Sequence, residues 1–285
     1  MGRIRHGWEL TKKSWALLRG NRQLFRFPIY SALSALVVVV VSIGPGVYLI
    51  DDGQHVLGGA LTAIGIFVAA FIGTYFGVGL AATADAIFHG RDATFADGMA
   101  VARQRVGAIA GWAALSAIVG MIFAVLREGG SVAEAIIGTV GAAAWSLITF
   151  LAVPVIAIEG LGPVATLKRS ASLFKERWAG QVTGNVAIGG IVLLLGVPPA
   201  LVLIGGGVLL WLSDDGLAGL AAGAVIAVVG VALLVVSLLI VQAMRGVFGV
   251  ALYRFASDGE VASGFTQADL ESAVRTRGAA ATTTV

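Results

Sequence analysis

The distribution of cations around six long apolar stretches constrains this chain most strongly. The stretches cover residues 28–50, 57–88, 106–126, 132–158, 182–212 and 217–244. Each is at least about 20 residues long, enough to cross a ~30 Å hydrocarbon core as a helix. Eighteen of the nineteen Lys and Arg residues lie in segments on one side of the stretches, and only Arg127 lies on the other. Since basic residues stay on the cytoplasmic side, this pattern predicts six transmembrane helices with both termini inside the cell.

The composition agrees with a membrane domain. The chain is 58% hydrophobic and 12% charged, well outside the range of soluble globular proteins. We predict an all-α, polytopic membrane helical bundle that forms one domain over residues 1–278, followed by a disordered tail at 279–285. The net charge of +3 does not indicate nucleic-acid binding, because membrane orientation already explains cations that flank apolar stretches.

Three basic segments show a helical apolar stripe. Residues 3–26, 92–106 and 163–178 carry apolar side chains at alternating spacings of three and four. That spacing predicts an amphipathic cytoplasmic helix before each transmembrane hairpin. The stripes could enter the headgroup region of an anionic membrane or pack on the bundle, and both interpretations stay open. The candidate contacts with lipid or a partner are Trp8, Lys12, Lys13, Trp15, Lys168, Arg169, Phe174 and Trp178.

A few charged residues lie within or beside the apolar stretches. Asp85 and His89 are four residues apart on one helical face, and Glu159 and Arg245 lie at the inner ends of two other stretches. Asp85, Glu159 and Arg245 can reach an interface, as can Glu134 at the outer start of the fourth stretch, and anchoring or local pairing there would explain them. The alternative is that Asp85, Glu159 and Arg245 converge, together with His89, at the cytoplasmic mouth as a polar cluster or pathway.

Prolines predict irregular helices in two stretches. Pro198 and Pro199 remove two backbone donors from the fifth stretch, which is therefore expected to be kinked or broken. This break is the main argument for a transporter or channel as the alternative function. Pro154 predicts a bend close to the inner end of the fourth stretch.

Signatures of catalysis and metal binding are absent from the sequence. There is no zinc-binding HExxH motif, no nucleophile elbow and no phosphate-binding loop. The histidines His6, His55 and His89 fall in three segments, and His55 is predicted on the opposite side from the other two. We therefore expect no enzyme activity, no metal site and no cofactor.

Several short patterns resemble a family of bacterial and archaeal membrane proteins of unknown function. They are Gly111-Trp112, Gly141-Ala-Ala-Ala-Trp145 leading to Pro154, the Glu-Gly-Leu-Gly-Pro run at 159–163, Lys168-Arg169-Ser170, Trp178-Ala179-Gly180, and the tail Ala251-Leu252-Tyr253 to Gly264-Phe265. The basic helix before a hairpin is more loosely similar to the membrane domain of some glycerophosphodiester phosphodiesterases. The resemblance implies six helices in the inner membrane of a prokaryote, and it implies no reaction or ligand.

The function expected from these observations is non-catalytic. A membrane-organising or accessory protein, with anionic lipids as its partners, fits the basic inner segments and the shortage of buried charge. Association into a homo-oligomer is left open. The alternative is the transporter or channel that would use the break at Pro198 and Pro199.

Overall fold

Helices account for nearly all of the described chain. The computed structural model describes residues 19–178, 200–206, 208, 217–262, 265–267 and 270, and no strand occurs among them. The helices are α1 Arg26–Val38, α2 Gly44–Asp51, α3 His55–Phe88, α4 Phe95–Gln104, α5 Val106–Glu128, α6 Val132–Ile148, α7 Ala152–Ile158, α8 Pro163–Trp178 and α9 Leu217–Asp258. A 3₁₀ turn, Arg22–Phe25, precedes α1, and a π-helical turn, Val39–Ile43, joins α1 to α2.

Five helical stretches in the described part of the chain are long and apolar enough to cross a membrane. They are Arg22–Asp51, His55–Phe88, Val106–Glu128, Val132–Ile158 and Ala221–Asp258. The all-helical character predicted from the sequence is therefore confirmed, and the five apolar helices agree with the predicted membrane protein. The predicted stretch 182–212 falls mostly outside the described residues, so the sixth span stays a prediction.

Small residues hold the first hairpin together. A Cβ atom placed on Gly58 would lie 2.7 Å from the backbone nitrogen of Ile50, and one on Gly65 would lie 2.8 Å from Ser42 Oγ. The Ser42 hydroxyl donates a hydrogen bond to the carbonyl of Leu61 at 2.7 Å. Glycines at these positions let the two helix backbones approach closely, which strengthens packing where the hydrophobic effect between helices is weak.

The fourth apolar stretch is divided into two helices. Helix α6 ends at Ile148, α7 begins at Ala152, and the interruption covers residues 149–151. Pro154 explains its position, because proline lacks a backbone donor and its ring clashes with the carbonyl four residues earlier, at Phe150. The irregularity therefore lies upstream of Pro154. The interruption frees the carbonyl of Ile148, which accepts a hydrogen bond from the Ser170 hydroxyl of α8.

The chain divides into two compact units. The larger unit comprises Arg22–Gly180 and Gly246–Ser263, and the second comprises Met1–Asn21, Gln181–Arg245 and Gly264–Val285. Within the second unit, residues 200–206 pack closely on α9. A Cβ atom on Gly206 would lie 2.6 Å from the Ala227 nitrogen, and one on Gly230 would lie 2.7 Å from the Leu203 Cα.

Candidate functional site

Two carboxylates of the larger unit meet consecutive residues near the end of α9. We call Asp85, Glu159, Arg169, Tyr253 and Arg254 the charged junction. Arg254 donates from Nε to Asp85 Oδ1 at 2.7 Å and from Nη2 to Asp85 Oδ2 at 2.9 Å. This two-point geometry is the strongest form of an Arg–carboxylate contact. Asp85 is only 7% exposed, so the pair ties α3 firmly to α9.

The second carboxylate of the charged junction joins three elements. Glu159 directly follows α7, and its Oε1 accepts hydrogen bonds from Arg169 Nε at 2.9 Å and from the Tyr253 hydroxyl at 2.7 Å. The hydrogen bond with Glu159 raises the pKa of Arg169 above its ordinary value. Both carboxylates accept hydrogen bonds from cationic or hydroxyl donors on other helices. The charged junction therefore connects α3, α8 and α9 with the end of α7. Neither Asp85 nor Glu159 is therefore a free carboxylate of the kind that acts as a general acid or base.

His89 lies at the C-terminal end of α3, beside this junction. Its Nδ1 is 2.7 Å from the backbone oxygen of Asp85, and its Nε2 is 3.8 Å from Glu260 Oε2. The imidazole therefore caps the last turn of α3 with its Nδ1 proton and faces an acid that follows α9. The described residues contain no group of three or more His, Cys, Asp or Glu side chains that could hold a metal ion.

Arg105 occupies the link between α4 and α5. Its guanidinium lies against the backbone of Gly160, so closely that a Cβ atom on Gly160 would overlap it. Gly160 also has a φ of 69°, a conformation that favours glycine. The Nε atom of Arg105 is shielded from solvent and finds no hydrogen-bond acceptor in the described part of the chain.

Helix α4 attaches to the larger unit through ring contacts and a close backbone approach. The Phe95 ring centroid is 4.6 Å from that of Phe27 and 5.3 Å from that of Tyr30. A Cβ atom on Gly98 would collide with the Gly79 carbonyl and would lie 2.8 Å from Phe27 Cζ. The face that includes most of the predicted apolar stripe is thus turned toward the bundle.

Helix α8 attaches through a different face from the one its sequence suggests. Thr166, Ser170 and Leu173 are its buried residues. They lie about one residue position, or roughly 100° around the helix, from the predicted stripe. The Thr166 hydroxyl donates to the Leu161 carbonyl at 3.0 Å, and Ser170 donates to Ile148. Two hydroxyl side chains and Leu173 therefore make the inward contacts of this helix.

The opposite face of α8 combines an apolar residue with two cations. Val164 is 60% exposed, and Lys168 and Lys175 are exposed beside it on the same side of the helix. We call Val164, Lys168, Ala171 and Lys175 the outward face of α8. Ala171 is half-buried, as is Phe174, which lies nearer the inward face.

The structure distributes the residues selected from the sequence among several places. Asp85, His89 and Glu159 come together around the end of α9, while Arg245 is exposed and belongs to the second unit. Arg169 pairs with Glu159, and Trp178 is the last residue of α8. Trp8, Lys12, Lys13, Trp15, Pro198 and Pro199 lie outside the described residues.

Sequence reasoning did not select Arg254, Tyr253 or Arg105. The hydrophobicity of the sequence predicts that the last apolar stretch ends at residue 244, whereas α9 continues to Asp258. That extension puts Tyr253 and Arg254 on a rigid helix instead of in a connecting segment. The available signal was the lack of any proline between residues 244 and 259. For Arg105 no signal existed, because Gly160 is 55 residues away in the chain.

A comparison with protein families adds a relationship to this geometry. Residues 60–265 match the model of a family of unknown function, DUF6159. The chain belongs to this family. The DUF6159 match spans every residue of the charged junction, together with Arg105 and all of α8. It supports the predicted family of unknown function and carries no link to phosphodiesterase membrane domains or to a prokaryotic source. No curated protein and no solved structure matches the chain.

Proposed function

We propose that this protein is a non-catalytic membrane protein that organises anionic lipid at the inner surface of a prokaryotic cell membrane. In this proposal both termini are cytoplasmic, and α8 lies at the level of the lipid headgroups. The orientation follows from the one-sided distribution of Lys and Arg residues. DUF6159 membership is compatible with this function and does not specify it.

The outward face of α8 is the observation that supports this proposal most directly. Buried hydroxyls and an ion pair already attach the helix to the larger unit, through Ser170 and through Arg169. Val164 is consequently left exposed on the same face as Lys168 and Lys175. An apolar side chain on a face with lysines suits the membrane interface, since the lysine ammonium groups reach phosphates while their alkyl stems cover apolar surface.

The transporter or channel alternative has one observation in its favour. The fourth apolar stretch is interrupted at residues 149–151, and interrupted spans often expose carbonyl groups to ions. Here the carbonyl of Ile148 is already bound by Ser170. Asp85 and Glu159 are likewise engaged by Arg254 and Arg169. The Ile148 carbonyl and the two carboxylates are therefore occupied by partners within the protein, so we favour lipid organisation.

The test measures lipid selectivity in reconstituted membranes. The full chain would be placed in vesicles that contain phosphatidylglycerol and phosphatidylcholine, one of them brominated. Quenching of tryptophan fluorescence then reports which lipid lies next to the protein. Each lysine near an anionic surface contributes about 1 kcal/mol. We therefore expect the double substitution Lys168→Gln/Lys175→Gln, which removes about 2 kcal/mol of attraction, to lower the preference for phosphatidylglycerol by up to about thirtyfold.

A matched control removes the same charge from another exposed place. Arg91 and Arg103 are exposed beside and within α4, and Arg91→Gln/Arg103→Gln should change the preference much less. Equal selectivity of the unsubstituted protein for both lipids would refute the proposal. An effect of the control pair as large as that of the α8 pair would show that general charge, and not α8, attracts the lipid.

A further inference from the structure

Arg105 forms no ion pair within 4.0 Å with a carboxylate of the described residues. Its Nε is shielded from solvent without an acceptor. The carboxylates of the described residues that form ion pairs within 4.0 Å do so with His89, Arg169 and Arg254. The Arg105 side chain as a whole is half-buried, and its Nε loses hydration without gaining an acceptor, which is costly.

The nearest acid in the sequence of the contacting loop is not its counterion. Gly160, on which the guanidinium rests, directly follows Glu159. Glu159 points instead to Arg169 and to the Tyr253 hydroxyl, at 2.9 Å and 2.7 Å. The charged junction thus engages Glu159, the carboxylate next to Gly160 in the chain, and the Arg105 guanidinium stays available to an external anion.

The chain also makes room for the guanidinium at this place. Gly160 has a φ of 69°, and any larger residue would put its Cβ atom where the Arg105 guanidinium lies. Pro163, three residues later, packs on α5, since a Cβ atom on Gly111 would lie 2.9 Å from Pro163 Cγ. The two contacts hold the loop that precedes α8 against the beginning of α5. They also hold the Arg105 guanidinium against Gly160.

The position along the chain indicates the kind of anion. Arg105 immediately precedes Val106–Glu128, a helix that is long and apolar enough to cross a membrane. A residue at the end of such a helix is level with the phosphate groups of the lipids. Guanidinium groups bind phosphate with paired, charge-assisted hydrogen bonds. We propose that Arg105 forms a binding site for the phosphate of one phospholipid molecule. This inference rests on the proposed lipid-organising function and assigns it a specific site.

The experiment titrates the full chain in detergent with defined lipids and follows bound lipid by native mass spectrometry. The first phosphatidylglycerol molecule should bind to each chain more tightly than any further ones. Diacylglycerol, which has the same tails without the phosphate, should show no such tight first binding step. Arg105→Gln should weaken that first binding step at least tenfold, since charge-assisted hydrogen bonds contribute about 1.5–3 kcal/mol. Arg105→Lys should retain part of the affinity.

Controls separate this site from general effects. Arg103→Gln removes an exposed cation two residues away and should leave the first binding step unchanged. Gly160→Ala keeps every charge but displaces the guanidinium, so it should weaken binding as Arg105→Gln does. Thermal unfolding of each variant identifies a folding defect. If Gly160→Ala does not fold, the comparison of Arg105→Gln with Arg105→Lys still decides the question.

Three outcomes would overturn the assignment. They are equal binding of diacylglycerol, unchanged binding in Arg105→Gln, and displacement of the lipid by millimolar inorganic phosphate, which would indicate a site for the free ion. Loss of this single binding site can also be distinguished from loss of the proposed lipid-organising function. The α8 lysine substitutions test selectivity among many surrounding lipids, whereas Arg105 determines the binding of a single molecule, including phosphatidylcholine.

Discussion

Helices α4 and α8 occupy equivalent places in the chain, yet they attach to the larger unit by different means. Each follows an apolar stretch and was expected to present an apolar stripe. Helix α4 packs Phe95 on Phe27 and brings Gly98 against the Gly79 backbone. Helix α8 instead inserts Ser170 toward a carbonyl freed by the interruption between α6 and α7. The first attachment depends on shape and the second on hydrogen bonding.

This difference shows that the spacing of apolar residues predicts a helix better than it predicts which face of that helix packs on its neighbours. In α4 the apolar stripe and the packed face coincide, because Phe95 packs on Phe27 and Gly98 fits closely against the Gly79 backbone. In α8 the part-buried carbonyl of Ile148, in the neighbouring helix pair, needs a donor, and leaving it unpaired costs about 1–3 kcal/mol. The side of α8 that carries Ser170 and Leu173 therefore turns inward, and Val164 stays exposed on the outward face.

The largest expected effect comes from disturbing the shape-based attachment. Gly98→Leu would force a side chain into the Gly79 backbone and the Phe27 ring. We expect a loss of about 3 kcal/mol of stability, at the upper end for overpacking. Thermal unfolding in detergent should show a midpoint lower by roughly 6–12 °C. Ala100→Leu, on the exposed side of the same helix, is the control, and a similar loss there would contradict the packing described for α4.

A smaller effect should follow from removing the donor of α8. Ser170→Ala leaves the Ile148 carbonyl without its side-chain partner, which should cost about 1–3 kcal/mol. Chemical unfolding of the protein in detergent measures the difference. Ser172→Ala is a matched control, because the Ser172 hydroxyl bonds the Arg169 carbonyl within its own helix at 3.0 Å. Equal losses for the two substitutions would mean that α8 does not support the interrupted span.

The smallest effect concerns the first turn of α4. Thr94 Oγ1 and Thr94 N donate to Asp97 Oδ2 at 2.7 Å and 2.8 Å. The side-chain hydrogen bond with Thr94, followed by the backbone one, lowers the pKa of Asp97 below its ordinary 3.8. Since the pKa is lower in the folded state, the stabilisation exists above pH 3.8 and is lost as the pH falls through the folded-state value.

Hydrogen exchange at the α4 amides can detect this loss. After correction for intrinsic rates, protection should decrease below pH 3.8 in the unsubstituted protein. Asp97→Asn should remove that dependence, while Asp92→Asn, at an exposed neighbouring residue, should retain it. Asp97→Asn should leave protection in α8 unchanged, because the attachment of α8 does not use Asp97. A change of α8 protection in Asp97→Asn would indicate a common cause for the two helices.

The sequence by itself determined the helical, membrane-embedded character of the protein, because the length and hydrophobicity of each stretch depend only on local composition. It also marked Asp85, His89 and Glu159 as unusual, since ionisable groups in apolar stretches are costly. Only the tertiary structure decided their partners. Arg254 meets Asp85 across 169 positions and Tyr253 meets Glu159 across 94, and no local pattern records such separations. The inward rotation of α8 was likewise decided by a carbonyl on another helix, and so was the exposed face that the proposed function uses.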